Sequence, residues 1–165
     1  MYSTGIKNTF TGLEMFRFAE LMEEEGYNAY TNGADYTTGK TKEFFLYAAR
    51  QEFIHKEKFA KLSSELKTNL KTDIGYIFDE EVTKYLTDLI KDRVFNKKDQ
   101  RNGAFKDLKS ALTHSLKYEK ITISIYTQMY GNVLQKDISR ILSIIIEEEK
   151  VHVSYLLKLL QEITA

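Results

Sequence analysis

The sequence predicts an all-α protein in which four long helices form a bundle, with a helical crossover between the second and third. Apolar residues recur at helical spacing over long stretches, and the 165 residues contain no proline, which suits uninterrupted helices. Each half of the chain also repeats one pattern: a Glu, a Tyr seven residues later, and a Glu-x-x-His that begins 29 or 30 residues after the first Glu. The length predicts a single domain over residues 1–165.

The first two helices are predicted from their end signals and their apolar periodicity. A capping box at Thr11–Glu14 starts helix 1, which runs to about Asn32, where an Asn-Gly pair is a typical terminator. Thr41 is predicted to cap helix 2, which extends to about Leu66. The short loop between them makes the two helices an antiparallel hairpin.

Residues 63–103 form the predicted crossover. Regular structure is weakly indicated over 63–78, and Asp79-Glu80-Glu81 then opens a shorter amphipathic helix that reaches Val94. Acidic residues in its first turn complement the helix dipole. A charged loop follows at Asn96–Gly103. The apolar stripe of this helix indicates either packing within the chain or a dimer surface.

The second half repeats the hairpin. Helix 3 is predicted from about Ala104 to Tyr130, where Gly131-Asn132 ends it, and helix 4 from about Asp137 to Gln161. A short loop joins them, so these helices are also antiparallel neighbours.

Composition excludes several classes of function. Lys plus Arg and Asp plus Glu number 24 each, so net charge does not favour nucleic acid or a membrane surface. No apolar run approaches the roughly 18 residues of a membrane helix, and residues 1–10 lack the features of a signal peptide. A cytoplasmic location is therefore predicted. The absence of cysteine excludes disulfides, thiolate zinc sites and thiol nucleophiles.

The repeated pattern predicts a carboxylate-bridged site for two metal ions inside the bundle. Residues three apart on a helix differ by 60° and about 4.5 Å, so the Glu and His of each Glu-x-x-His motif can bind one ion together. Two divalent ions also balance four carboxylates, which are too costly to bury unpaired. Mixed oxygen and imidazole donors suit iron or manganese, and zinc can also occupy such sites. The six candidate ligands are Glu23, Glu52, His55, Glu119, Glu149 and His152.

The ligand on helix 1 has an alternative. Glu23 is favoured because Tyr30 follows it by seven residues, the spacing that the second half also shows. Glu20 has the same spacing to Tyr27 and lies one turn earlier, so it remains open as the ligand. Glu24 is predicted to be a solvated or interhelix charge, as is Glu25.

The tyrosines of the repeat have two interpretations of equal weight. Tyr30 and Tyr126 either hydrogen-bond to metal ligands or act as redox-active phenols near the metals, or they are core residues whose hydroxyls are satisfied. His114 lies about 140° around its helix from Glu119. It is predicted to be an ordinary surface or packing histidine.

The sequence around these motifs resembles the rubrerythrins, which are ferritin-like proteins. Residues 22–30, 48–62, 111–126 and 146–159 are similar to the four bundle helices of that family. The resemblance implies a ferritin-like bundle whose two iron ions, bound by the same six ligands, reduce hydrogen peroxide.

Two departures from the family pattern bear on the reaction. Rubrerythrins usually carry a rubredoxin-type domain with four cysteines, so an external, rubredoxin-like protein is expected to donate the electrons here. Leu116 stands where the family typically has an extra glutamate, three residues before Glu119. The remaining ligand set is closer to that of a bacterioferritin, so ferroxidase activity with oxygen is the alternative. A homodimer is expected, and a non-enzymatic bundle with zinc or iron is a third possibility.

Overall fold

The computed structural model describes residues 12–69, 80–93, 103, 105–132 and 136–165. Within these ranges there is no strand, and the all-α prediction is confirmed. None of the helices in these ranges is both long and apolar enough to cross a bilayer. The five helices described are α1 (Gly12–Asp35), α2 (Gly39–Asn69), α3 (Glu80–Arg93), α4 (Leu108–Asn132) and α5 (Lys136–Thr164).

Helices α1 and α2 form the predicted antiparallel hairpin. The rings of Tyr30 and Phe45 lie with centroids 6.2 Å apart. Further along, Lys56 Nζ lies 3.2 Å from Glu24 Oε1. Residue numbers therefore fall along α2 as they rise along α1, which confirms the pairing and the interhelix role predicted for Glu24.

Helix α5 runs antiparallel to α2. The rings of Tyr47 and Tyr155 lie 5.2 Å apart near one end of the contact. At the other end, Lys58 Nζ forms an ion pair with Glu148 Oε1. Each Glu-x-x-His motif thus faces the other across the bundle.

Helix α3, the crossover helix, packs against α1. Ile90 is fully buried in the core, and Arg17 Nη2 donates to Thr83 Oγ1 at 3.3 Å. Lys91 Nζ lies 3.8 Å from Glu25 Oε1, so the interhelix role predicted for Glu25 is confirmed as well. Of the two interpretations of the apolar stripe, packing within the chain holds at Ile90.

The start of α2 differs from the prediction. Helix α2 begins at Gly39, so Thr41 lies inside the helix and its assignment as the cap was wrong. Gly39 has a φ of 58°, a left-handed conformation that glycine adopts without strain and that turns the chain into the helix.

The start of α4 also differs from the prediction, because a cap was overlooked. The Asp107 carboxylate accepts a hydrogen bond from the backbone N–H of Ser110 at 2.7 Å. An aspartate in this position satisfies a first-turn amide and fixes the start of the helix. Helix α4 therefore begins at Leu108, one turn after the predicted Ala104.

The remaining boundaries agree within about one turn. Helix α1 continues to Asp35 and α2 to Asn69, each three residues beyond the prediction. Helix α5 begins one residue before its predicted range and ends three residues after it. Of the weakly indicated segment 63–78, residues 63–69 are helical in α2 and residues 70–78 lie outside the described residues. The capping threonine at position 11 and the loop over 96–102 also lie outside the described residues.

Two apolar clusters fill the bundle and leave a polar layer between them. On α1, Glu23 lies between Met22 of the first cluster and Tyr30 of the second. On α2, residues 52–55 lie between Phe59 and Ala49 in the same way. The largest members of the first cluster are Phe18, Met22, Phe59, Tyr118, Tyr126 and Met129, and those of the second are Tyr30, Phe44, Phe45, Leu112 and Leu156.

Candidate metal centre

All six candidate ligands lie in the polar layer between the two apolar clusters. They come from α1, α2, α4 and α5, so every helix of the four-helix bundle contributes. Five of them are buried, and the side chain of the sixth, His152, is 15% exposed. The buried members are Glu23, Glu52, His55, Glu119 and Glu149.

Two overlapping groups of donor atoms have the spacing to hold a cation. One group is Glu23, Glu52 and His55, and the other is His55, Glu149 and His152. Within each group, one ligand atom of every residue lies within 4.8 Å of the others. His55 belongs to both groups, and its Nδ1 is the atom near both Glu23 and Glu149. An imidazole nitrogen has one lone pair and binds one ion, so a second ion beside it would be held by Glu149 and His152.

His55 is the centre of the cluster. Its Nδ1 lies 2.8 Å from Glu149 Oε1 and 3.3 Å from Glu23 Oε2. Its ring stacks on that of His152, with centroids 5.1 Å apart and planes inclined by 11°. The other oxygen of Glu149 lies 3.1 Å from His152 Nδ1, within hydrogen-bond distance. Imidazole and carboxylate groups from both halves of the chain therefore lie close together around His55.

Three buried atoms of this cluster have no hydrogen-bond partner within the described part of the chain. They are Glu23 Oε2, His55 Nδ1 and Glu149 Oε1. The ring nitrogen lies close to both oxygens, but the atoms are not aligned for hydrogen bonds. Buried polar atoms are normally satisfied, and a cation placed among these three would satisfy all of them. The residues present therefore fit a metal ion.

The carboxylates carry more negative charge than the protein itself compensates. Burial, and then the neighbouring carboxylates, raise the pKa of Glu52 and Glu119 well above the usual value. Burial opposes the charged form of His55, but Glu149 and Glu23 outweigh it and raise the pKa of His55 to about 10. Despite burial, the adjacent imidazoles of His152 and His55 and the carboxyl group of Glu119 lower the pKa of Glu149. Divalent cations would displace the protons that this cluster holds.

Tyr126 and Tyr30 lie fully buried beside the cluster. The Tyr126 hydroxyl donates to Glu23 Oε1 and lies 3.2 Å from the carbonyl oxygen of Ala19. Tyr30 lies close to Ser115 and to the glutamates of the cluster. Burial raises the pKa of both tyrosines, and Glu23 raises that of Tyr126 further, as Glu119 does for Tyr30. Tyr126 therefore orients a candidate ligand, while both interpretations of Tyr30 stay predictions.

The structure places Glu23, rather than Glu20, in the cluster. Glu20 Oε2 instead pairs with Arg17 Nη1 at 3.0 Å, on the side of α1 that faces α3. His114 lies away from the cluster, and its Nδ1 is 2.9 Å from the carbonyl oxygen of Ser110 on its own helix.

Comparison with known proteins agrees with this geometry. Residues 13–160 match the family model for rubrerythrin. The chain belongs to the rubrerythrin family. A crystal structure of a ferritin-like diiron-carboxylate protein from Thermotoga maritima superposes with a TM-score of 0.60 at 23% identity, over 93% of this chain and 96% of that chain. This likeness confirms the ferritin-like fold. No curated protein matches the sequence.

This rubrerythrin-family chain departs from the family pattern at one position of α4. Leu116 is partly buried and packs against the second apolar cluster. An apolar side chain therefore lies one turn before Glu119, where the sequence resemblance expected a further carboxylate. The assignment of residues 1–165 to one domain stays a prediction.

Gly26 is a site residue that the sequence reasoning missed. It lies on the buried face of α1, and a Cβ there would be 2.8 Å from Glu52 Oε2. The absence of a side chain therefore leaves the space that the Glu52 carboxylate occupies. A glycine inside a helix is about 1 kcal/mol less favourable than alanine. A glycine in the middle of a predicted helix was therefore the sequence signal that this position has a packing or functional role.

Glu148 is the second residue that was missed. Its Oε2 lies 3.1 Å from His55 Nε2, on the side of the ring opposite the cluster, and its other oxygen pairs with Lys58. An anionic oxygen at Nε2 favours the ring orientation that presents Nδ1 to the metal positions. No spacing within α5 indicates this role, because the contact reaches across to α2.

Replacing Gly26 with alanine is expected to weaken metal binding without weakening the fold. The new methyl group displaces the flexible end of Glu52, so affinity for the first metal ion should fall by about 10–100-fold. The metal-free protein should keep its stability or gain up to about 1 kcal/mol from better helix propensity. Anaerobic Fe(II) and Co(II) titrations and thermal unfolding measure the two effects. Gly131→Ala is the matched control, since a Cβ there meets nothing within 4 Å; equal affinities in both variants would contradict the role of Gly26.

Replacing Glu148 with alanine is expected to loosen His55 and lower metal affinity by about tenfold, the lower end for residues that orient a ligand. Co(II) absorption should also change, because its bands report ligand geometry. Glu147→Ala is the control: this neighbouring glutamate pairs with Lys150 at 2.7 Å on the exposed side of α5. If the two variants bind Co(II) with the same affinity and spectrum, Glu148 does not position His55.

Proposed function

We propose that this protein is a non-haem di-iron oxidoreductase that reduces hydrogen peroxide with electrons from an external donor. The observation that carries the proposal is the pair of donor groups that share the buried His55. Membership of the rubrerythrin family, whose ferritin-like relative from Thermotoga maritima is described as a diiron-carboxylate protein, supports iron as the metal.

The proposed ligands are the four glutamates and two histidines of the polar layer. Glu23, Glu52 and His55 would hold one ion, and Glu149 and His152 would hold the other beside the shared histidine. Glu119 belongs to neither donor group, but it lies close enough to Glu149 for the two carboxyl groups to interact, and it is proposed to complete the set from α4. Bound as ferrous ions, the pair would supply two electrons, which together with two protons convert one hydrogen peroxide to two water molecules.

The protein's own residues hold and shield this centre. The apolar clusters above and below the polar layer restrict water, which strengthens electrostatic interactions within it. Tyr126 fixes one carboxylate oxygen of Glu23 through its hydroxyl, and so restrains the direction of the other. Oxygen donors with negative charge favour the more highly charged state of a metal, and a set of four carboxylates and two imidazoles also suits manganese.

The electron donor is proposed to be a separate protein of the rubredoxin type. The 165 residues contain no cysteine, so they supply no thiolate iron site of their own. The homodimer and the cytoplasmic location remain predictions. Exposed apolar side chains on the outer faces of α2 and α5, among them Phe53 and Val151, support a dimer, and sedimentation equilibrium would measure it.

Ferroxidase activity with oxygen is the second candidate function. Leu116 favours it, because the site lacks the extra carboxylate expected in rubrerythrins and keeps the more symmetric set of six ligands. Both candidates use the same residues and the same metal, and they differ in the oxidant.

The ligand assignment is tested by removing one glutamate from each half. Glu52→Ala and Glu149→Ala should each lower Fe(II) affinity by more than about 100-fold, beyond the range for residues outside the ligand set. Anaerobic titration gives the number of ions bound per chain, expected to fall below two in both variants. Glu57→Ala is the control, an exposed glutamate on α2. Wild-type iron binding in either ligand variant would refute the assignment.

The oxidant is identified by stopped-flow mixing of the ferrous protein with hydrogen peroxide or with oxygen. Peroxide is expected to oxidise the iron at least about tenfold faster at equal concentration, equivalent to about 1.4 kcal/mol in the barrier. Faster oxidation by oxygen would instead establish the ferroxidase alternative. Slow oxidation by both oxidants would indicate that the metal is a structural part of the bundle.

A further inference from the structure

A small cavity lies directly beside the candidate metal centre, between α2 and α5. Ala48 and Tyr47 line it from α2, and Tyr155 and Leu156 line it from α5. At its inner end it reaches Glu119 and His152, two of the proposed ligands. Its volume is about 20 Å³.

The lining residues become less exposed from one end of the cavity to the other. Tyr47 and Tyr155 are 41% and 38% exposed, whereas Ala48 and Leu156 are 9% and 4% exposed. Glu119 at the inner end is buried. The lining therefore runs from exposed tyrosines to buried donor residues. Tyr155 follows His152 by three residues, so it lies about one helical turn along α5 from a proposed ligand.

The two tyrosines narrow the outer end. Their ring centroids are 5.2 Å apart, within the range of favourable aromatic pairs. A cavity of about 10–15 Å³ holds one water molecule, so the volume here suits a molecule of water or hydrogen peroxide size. A branched alkyl group exceeds that volume.

The chemistry of the lining changes along the same path. Aromatic and aliphatic side chains form the outer part, and a neutral molecule passes them without the desolvation penalty of an ion. Gln51, Glu119 and His152 supply hydrogen-bonding groups at the inner end. Hydrogen peroxide is neutral, small, and both donates and accepts hydrogen bonds.

We propose that this cavity is the oxidant entrance of the metal centre, and that Tyr47 and Tyr155 restrict it to molecules of hydrogen peroxide size. The choice of peroxide rests on the proposed function; the route of entry applies to oxygen as well. Alkyl hydroperoxides with a bulky group are too large for a cavity of about 20 Å³.

The size limit is tested by oxidising the ferrous protein with hydrogen peroxide and with cumene hydroperoxide in a stopped-flow instrument. In the wild type, the rate constant with cumene hydroperoxide should be at least tenfold lower, about 1.4 kcal/mol in the barrier. Tyr155→Ala should raise the ratio of the two rate constants, bulky over small, by a similar factor. Tyr130→Ala removes an exposed tyrosine of α4 outside the cavity and should leave the ratio unchanged. Equal rates with both peroxides in the wild type would overturn the size limit.

The route of entry is tested by narrowing the cavity with Ala48→Leu. Association of nitric oxide, a small neutral molecule, with the ferrous iron protein, followed by absorption, should slow about tenfold, while iron content and far-UV circular dichroism stay at wild-type values. If Ala48→Leu does not fold, Tyr155→Ala provides the test, since nitric oxide should then associate faster than in wild type. Unchanged nitric oxide rates would overturn the entrance. Should oxygen prove to be the oxidant, the peroxide proposal fails, yet slower oxidation by oxygen in Ala48→Leu would still support the entrance.

Discussion

The constraint on which this structure depends is the burial of four carboxylates in one layer of a helical bundle. An isolated buried charge is too costly to persist, and the apolar clusters on both sides leave little water to solvate the group. The protein alone offers His55 and raised pKa values at Glu52 and Glu119 as compensation. The layer is therefore stable with protons in it or with cations in it, and the same fact makes it a candidate metal site.

Burying this layer requires locally unfavourable residues at other positions of the helices. Gly26 lowers the helix propensity of α1 so that the Glu52 carboxylate has room. Tyr126 places a polar hydroxyl in the apolar core, where it is satisfied by Glu23 and the backbone of Ala19. Each of these residues is unfavourable for helix stability or core packing alone. Each is explained by its contact with a buried glutamate.

The sequence predicted the helices well, and the six candidate ligands that it named lie in one polar layer, because both features depend on spacing within a single helix. Glu-x-x-His places its two side chains on one face wherever the helix happens to pack. Helix starts were less predictable, since Asp107 and Gly39 set them through local backbone conformations that compete with other caps. Glu148 could not be predicted, because its contact with His55 depends on how α5 faces α2.

The repeated motif predicts two equivalent halves, but the surroundings make them different. His55 is closed in on both sides, with its Nδ1 among carboxylates and its Nε2 against Glu148, which in turn pairs with Lys58. His152 has a partly exposed side chain and lines a cavity that Tyr47 and Tyr155 also line. In the proposed reaction the oxidant would approach the metal position beside His152 rather than the one beside His55. An asymmetric environment around a symmetric motif would then give the two proposed metal positions different roles.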